Sequence, residues 1–165
     1  MTSIMSPATI MQCMPLLIFD ATHFQVIVPD RPHVARADGG HLIINPRQAV
    51  PDRTHLSREQ AVELVKLTMV CGAAMQAVLP PLGVDIGRIN YQDNGNWRHE
   101  LHVHLYGRAR NAQLQPYGHA LRFPPTAEAF RAEMGNLEPL NVDDAVALRA
   151  EIARLLATDQ YRAFS

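Results

Sequence analysis

The chain has 165 residues, 47% of them hydrophobic and 19% charged, which is enough apolar material for the core of one domain. Its formal net charge of -1 argues against a protein held mainly by nucleic-acid phosphates. The longest apolar run, Cys13 to Phe19, is too short to span a membrane, and the first basic residue is Arg31, which argues against a secretory signal. Cys13 and Cys71 predict buried reduced thiols, so we expect a cytoplasmic protein.

The amino-terminal half predicts three strands. Residues 1–15 carry little pattern. Short apolar runs rich in β-branched and aromatic residues predict strands over Leu16–Phe19 and Phe24–Val28. After a loop rich in proline, glycine and charge over 29–40, the run Leu42–Asn45 predicts a central strand that is buried on both faces.

A long helix is predicted from Ser57 to Leu79. Ser57 can act as N-cap, and Gln60 three residues later can complete a capping box. The pair Pro80-Pro81 ends the helix because neither residue can donate to the helical ladder. Helical spacing predicts an apolar stripe of Ala61, Leu64, Cys71, Met75 and Val78, widened by Val62, Val65 and Met69.

A hairpin follows the helix. Val84–Tyr91 and Arg98–Tyr106 predict its two strands, and Asn94-Gly95 predicts a tight type I′ turn between them. Downstream, Thr126 is a candidate N-cap for a helix that runs to Met134, and Asn141 marks the start of a last helix.

The predicted fold class is therefore α+β, with an antiparallel sheet of about five strands. The long helix packs on this sheet. We expect a poorly patterned segment over 1–15, a domain over 16–110, and a C-terminal extension over 111–165 whose two short helices pack on the same domain.

The return strand of the hairpin carries the residues that could perform chemistry. Side chains of a strand alternate between faces, so Glu100, His102, His104 and Tyr106 are expected on the face opposite Leu101, Val103 and Leu105. The two imidazoles would lie roughly 6.6 Å apart along the strand. Asn90, Gly95 and Asn96 nearby offer neutral donors and room for a ligand, and Gly40-His41 precedes the buried strand.

These residues resemble the histidine triad (HIT) family of nucleotide hydrolases and transferases. Glu100-Leu101-His102-Val103-His104-Leu105-Tyr106 is similar to the family signature of three alternating histidines, with Glu100 in the first position. Gly40-His41-Leu42-Ile43-Ile44 resembles its upstream element, and Asn90 and Asn96 resemble polar residues that the family uses near sugar and phosphate. The resemblance covers about 24–108, with the long helix between the two motifs.

The resemblance implies an activity and a set of residues. His102 would attack the α-phosphorus of a nucleoside phosphoramidate or dinucleoside polyphosphate and form a covalent nucleotidyl-histidine. His104 and His41 would assist, together with donors at Asn96 and Gly95. Asp30 is the nearest match to an acidic residue that binds the ribose. The resemblance further implies a homodimer with a small-molecule nucleotide as partner, and no cofactor, metal, polymeric nucleic acid or membrane.

Glu100 is the departure from the family pattern. If its carboxylate shares the face of His102, it should repel the substrate phosphate and reduce activity. The nucleophile can survive the change, because in the family it is the backbone carbonyl of this position that orients it. His99 is out of register by one residue and is not counted as the missing histidine.

Two alternatives stay open. One is a non-catalytic nucleotide-binding module. The other is a metal site, for which His41, His102, His104 and Glu100 are a plausible ligand set. A further carboxylate ligand would be expected a few residues after the histidine pair, but Arg108 and Ala109 occupy that region. Arg108 and Arg110 also add positive charge, which makes the metal site the weaker of the two.

Overall fold

The structure, a computed structural model, describes residues 15–163. The predictions for residues 1–14, including the burial of Cys13, lie outside the described residues. Cys71 is a free, buried thiol as predicted, and burial raises its pKa to about 12.

The described residues form a five-stranded antiparallel sheet. Its strands are β1 (Leu16–Asp20), β2 (Phe24–Val28), β3 (His41–Pro46), β4 (Ile86–Gln92) and β5 (Val103–Ala109), in the spatial order β1-β2-β3-β5-β4. The pairing of β3 with β5 sets His41 opposite Tyr106 and Ile43 opposite His104. The upstream histidine motif and the histidine pair are therefore neighbours at the centre of the sheet, and the predicted fold class is confirmed.

The long helix α1 (Arg58–Val78) packs on one face of the sheet. Its predicted capping box is present: the Ser57 hydroxyl accepts from the Gln60 backbone N–H, and the Gln60 side chain accepts from the Ser57 N–H. Its buried residues are Leu64, Leu67, Val70, Cys71, Gly72, Ala74 and Met75. By length and composition α1 would also suit a membrane span, but this buried face and the polar first turn are those of a core helix.

The predicted apolar stripe on α1 is too wide. Val65 and Met69 are 50% and 40% exposed, and Ala61 is exposed as well. The helix is apolar around more of its circumference than the sheet can cover, so part of this surface faces away from the core.

The described part of the C-terminal extension (111–163) covers both faces of the sheet. It contains α2 (Ala127–Met134), α3 (Val142–Leu156) and a short α4 (Asp159–Arg162), with Thr126 and Asn141 as the N-caps of α2 and α3. Helix α3 packs beside α1 and β1, and its buried Leu148 and Ile152 join the core. Phe123 and the buried Phe130 of α2 lie instead against His33 and Trp97, on the face opposite α1.

Two buried carboxylates hold the extension to the β2–β3 loop. Both oxygens of Asp38, which is 2% exposed, accept backbone N–H groups of residues 113, 114 and 115 at 2.7–2.8 Å. Asp144 at the start of α3 forms a bidentate pair with Arg36, at 2.6 and 2.8 Å. The loop is thereby pinned between the sheet and the extension.

A close backbone approach brings the same loop onto β5. A Cβ atom on Gly39 would lie 2.1 Å from the Gly107 carbonyl oxygen, and one on Gly107 would lie 1.9 Å from that of Gly39. The Gly107 N–H also donates to the Gly40 carbonyl at 3.0 Å. Only glycine fits at both positions, and this contact seats His41 directly against the histidine strand.

The hairpin is present, but its predicted tight turn and early return strand are wrong. Strand β5 begins at Val103, and residues 93–102 form a long connection, because Gln92 pairs with His104. Among these residues Gly95 has a positive φ of 64°, whereas Asn94 does not, so the type I′ geometry is absent. The alternation of a strand therefore does not extend back to Glu100.

Candidate active site

His102 lies at the entrance to β5 with its ring held by the backbone. Its Nδ1 is 2.7 Å from the carbonyl oxygen of Glu100. A carbonyl can only accept, so Nδ1 carries the proton and Nε2 of the neutral ring carries the lone pair. His102 thus offers a fixed nucleophilic nitrogen to the cavity that its ring lines.

His41 and His104 form a second oriented unit. The backbone N–H of His33 donates to His41 Nδ1 at 3.1 Å, so the proton of neutral His41 is on Nε2. That Nε2 is 2.8 Å from His104 Nδ1 and donates to it. His104 then carries its own proton on Nε2. The His33 backbone N–H thus fixes the tautomer of His41, and His41 in turn fixes that of His104.

A fourth imidazole, His33, completes the cluster. Its ring centroid is 5.0 Å from those of His41 and His104, and the latter two are also 5.0 Å apart. Its Nδ1 is 2.8 Å from the hydroxyl of Tyr106, a residue that is 1% exposed. His102 adjoins the cluster with its ring centroid 4.6 Å from that of His104.

A cavity of about 480 Å³ opens above these rings. One wall is the connection 93–102, and the other belongs to the C-terminal extension. The lining residues are His33, Ile43, Asn94, Gly95, Asn96, Trp97, Arg98, His102, His104, Tyr106, Phe123, Pro124, Pro125, Ala127 and Arg131. Aromatic rings and two arginines at one cavity suit a ligand with a flat apolar part and an anionic part.

Burial keeps the imidazoles neutral. It lowers the pKa of His33 to about 4, with a further contribution from the nearby His102. Burial is also the main reason why the pKa values of His41, His102 and His104 lie below their usual range. The hydrogen bond to the Glu100 carbonyl opposes this effect at His102. At neutral pH the site therefore presents lone pairs and N–H donors rather than imidazolium charges.

The structure brings some of the predicted site residues together. Gly95, Asn96, His102 and His104 line the cavity, and fully buried His41 supports His104 from beneath.

Three predicted residues lie elsewhere. Asn90 accepts from Arg108 Nη1 at 2.8 Å and lines a separate cavity of about 500 Å³. Asp30 is exposed and does not line the His102 cavity. Glu100 precedes β5, so strand alternation does not determine its position. Its exposed side chain lines another depression with Asn45 and Ala49, and its charge acts to raise the pKa of His102.

The sequence reasoning missed the residues supplied over long range. His33 comes from a loop, and Phe123, Phe130 and Arg131 come from the C-terminal extension, so no periodicity marks them. The one available signal was compositional: Pro32-His33 and Phe123-Pro124-Pro125 place large rings in segments with fixed backbones.

The cluster also has the donors for a metal ion. One ring nitrogen from each of His33, His41 and His104 lies within 4.8 Å of the others. Neutral imidazoles suit zinc and similar divalent ions, but a metal here would replace the hydrogen bond between His41 Nε2 and His104 Nδ1. Among the described residues this group comprises three ligands. The ligand set predicted from the sequence therefore changes. His41 and His104 remain in it, His33 joins them, and Glu100 and His102 are not part of the group.

Comparison with solved structures identifies the fold. A histidine triad protein from Bradyrhizobium japonicum superposes with a TM-score of 0.59 at 15% identity, covering 85% of this chain and 89% of its own. A zinc-bound histidine triad family protein from Mycobacterium smegmatis gives 0.57 at 18% identity over 86% of both chains. A histidine triad protein from Marinobacter aquaeolei gives 0.56 at 16% identity, with 92% and 91% covered. No protein-family model and no curated protein matches the sequence.

The chain therefore has the histidine triad fold. These superpositions cover at least 85% of this chain, at 15–18% identity, and they show the fold.

Proposed function

We propose that this chain is a nucleotide-binding hydrolase or nucleotidyl transferase. It acts at the α-phosphate of a nucleoside phosphoramidate or a dinucleoside polyphosphate. The observation that carries the proposal is the hydrogen bond from His102 Nδ1–H to the Glu100 carbonyl, which leaves the Nε2 lone pair free at the cavity. The histidine triad fold of its structural neighbours supports the same class.

The reaction takes two displacements. His102 Nε2 attacks the α-phosphorus, and the bond from phosphorus to the leaving nitrogen or oxygen breaks as the leaving group takes up a proton from solvent water. The Glu100 carbonyl then stabilises the positive charge on the ring. Water, or another acceptor in a transferase, next attacks phosphorus, loses its proton to solvent, and releases His102 unchanged. Throughout, His104 Nε2–H is a donor for a phosphoryl oxygen, in the tautomer that His41 fixes.

The cavity suits an anionic nucleotide. Arg98 and Arg131 line it and supply positive charge for phosphate groups, and Arg98 is held in place by a 2.6 Å hydrogen bond to Asn45. Gly95 and Asn96 line the same edge and offer backbone and amide donors. Trp97 and Phe123 present ring faces on which a nucleobase can stack.

The test is a panel of nucleoside phosphoramidates and dinucleoside polyphosphates, with products identified by phosphorus NMR. The wild-type chain should release a nucleoside monophosphate, and His102→Ala should abolish turnover while the fold persists. The matched control is His99→Ala, because His99 is exposed in the connection and does not line the cavity. Binding of nucleotide without turnover by the wild-type chain would instead establish a non-catalytic nucleotide-binding module.

Metal binding is a second candidate, favoured by the nitrogen atoms of His33, His41 and His104 within 4.8 Å of one another. Elemental analysis of the purified protein, followed by titration of chelator-treated protein with Zn²⁺, separates it from the first. Loss of a stoichiometric metal together with loss of turnover would favour the metal. Full turnover by metal-free protein would dismiss it as a requirement.

We also propose that the chain forms a homodimer in the cytoplasm. The exposed Val65 and Met69 on α1 are the apolar surface that a second subunit would cover. Light scattering at micromolar concentration should report about twice the chain mass of 18.4 kDa, and Val65→Asp should reduce that value. A monomeric wild-type chain would contradict the dimer and leave the enzymatic proposal untouched.

A further inference from the structure

His33 is an imidazole of the site that belongs to neither histidine motif. It lies in the loop between β2 and β3, and it lines the cavity together with His102. Its ring centroid is 5.0 Å from each of His41 and His104. The β2–β3 loop thus places an imidazole at the cavity, which is the group that a histidine at the first position of the motif would have carried.

The strand itself leaves this place open. The residue at the first position of the motif, Glu100, is exposed and lines a different depression, so its hydrogen bond to the site comes from its backbone carbonyl. Of the two motif histidines that line the cavity, His102 presents the Nε2 lone pair and His104 presents its Nε2–H. A phosphoryl group has more acceptor oxygens than the single N–H of His104 can serve.

The hydrogen bond to Tyr106 decides which nitrogen of His33 carries the proton. The Tyr106 hydroxyl is buried, and among the described residues its hydrogen-bond partner is His33 Nδ1, at 2.8 Å. A buried hydroxyl requires an acceptor for its proton, so Tyr106 donates and Nδ1 accepts. The neutral His33 ring then carries its proton on Nε2, the nitrogen left for the cavity.

The aromatic packing holds the ring in this orientation. His33 lies edge-on to Phe130 and Trp97, with centroid distances of 4.7 and 5.5 Å, and tilted against Phe123 at 5.4 Å. A donor that is fixed before the ligand arrives needs no reorganisation when charge develops on the phosphoryl oxygens.

We propose that His33 is a phosphate-binding residue of this site, whose Nε2–H donates to an α-phosphoryl oxygen of the substrate in place of the histidine missing from position 100. This inference rests on the proposed function and adds a specific contact to it. The ligand class is an anionic phosphoryl group, bound by a neutral donor.

The test compares two substitutions of His33, one that keeps a donor near the place of Nε2 and one that keeps a polar group only near that of Nδ1. A glutamine amide nitrogen reaches approximately the place of Nε2, whereas an asparagine amide reaches only that of Nδ1. His33→Asn should lower kcat/KM for a nucleoside phosphoramidate about 100-fold, the usual effect of losing one oxyanion donor. His33→Gln should stay within about tenfold of the wild type. His99→Asn is the matched control at an exposed histidine and should leave kcat/KM unchanged.

Calorimetric binding of a nucleoside monophosphate is measured alongside, because it does not depend on turnover. Equal kcat/KM and Kd for the wild type and His33→Asn would overturn the inference, and so would equal losses in the asparagine and glutamine variants, since these indicate packing alone. If the wild type binds the monophosphate but has no turnover, the proposed enzymatic function fails. The inference about His33 would then stand if His33→Asn weakens binding of the monophosphate and His33→Gln does not. It would fall if His33→Asn binds as tightly as the wild type. A wild-type chain that neither binds nor turns over overturns both.

Discussion

Asp38→Asn should both destabilise the protein and loosen the wall of its cavity. The two carboxylate oxygens accept three backbone N–H groups of residues 113–115, at 2.7–2.8 Å, from a side chain that is 2% exposed. An amide keeps one acceptor oxygen and turns its NH₂ group toward a buried donor. One bond is lost outright, and the other two lose their charge assistance.

The magnitude follows from the cost of each bond. A hydrogen bond to a charged group contributes about 1.5–3 kcal/mol, so the change should lower the free energy of unfolding by about 3 kcal/mol. That is a large part of the roughly 5–15 kcal/mol typical of a domain. Because residues 113–115 lead into the segment that carries Phe123, kcat/KM should fall as well.

Urea unfolding at pH 7.5 measures the loss, and limited proteolysis reports whether cleavage within 111–126 becomes faster. The matched control is Asp85→Asn, whose exposed ion pair with Arg110 should contribute less than about 1 kcal/mol. A loss at Asp38 below about 0.5 kcal/mol, the range of ordinary surface substitutions, would refute the reasoning.

Three further outcomes are expected. Glu100→Gln should change kcat/KM less than about threefold, because the side chain is exposed and lines a depression outside the cavity. A rise beyond tenfold, or about 1.4 kcal/mol, would support repulsion between this carboxylate and the substrate phosphate. The free energy of unfolding should fall as pH drops from 6.5 toward 4. In this range the imidazoles bind protons in the unfolded chain but stay neutral in the folded protein, where burial lowers their pKa. For His33, whose folded pKa is about 4, this amounts to about 1.4 kcal/mol per pH unit, and urea unfolding of His33→Asn should show a flatter curve. Asp144→Asn should cost about 3 kcal/mol in urea unfolding, because it leaves Arg36 without its buried partner; a loss within error would contradict this.

Local signals predicted the elements well. The capping box at Ser57, the double proline after Leu79 and the caps at Thr126 and Asn141 are all present where the sequence places them. Such features depend on interactions within a few residues, which a sequence displays directly.

The connection before β5 could not be predicted in the same way. Asn94-Gly95 has the composition of a tight turn, but the register that sets Gln92 against His104 leaves residues 93–102 outside the ladder. Register is decided by pairing with β3 at the centre of the sheet, and that pairing joins residues about sixty positions apart. Local turn chemistry was outweighed by long-range packing.

The candidate site was also predictable only where its residues lie in local motifs. His41, His102 and His104 were found because each lies in a short motif. The burial of the polar face was not foreseen, since alternating His, Tyr and Arg residues have the pattern of a solvated face. Tyr106 and Arg108 are in fact 1% and 5% exposed, because distant segments fold over them.

The position of the C-terminal extension has a consequence for biosynthesis. His102 and His104 leave the ribosome before Phe123 and Phe130, and both aromatic rings come before Asp144, which fastens the extension to Arg36. A nascent chain that ends near residue 110 contains all five strands, but it lacks the aromatic rings of the extension that line the cavity and the α3 residues that complete the core. The binding site is therefore completed only when the last third of the chain has been made.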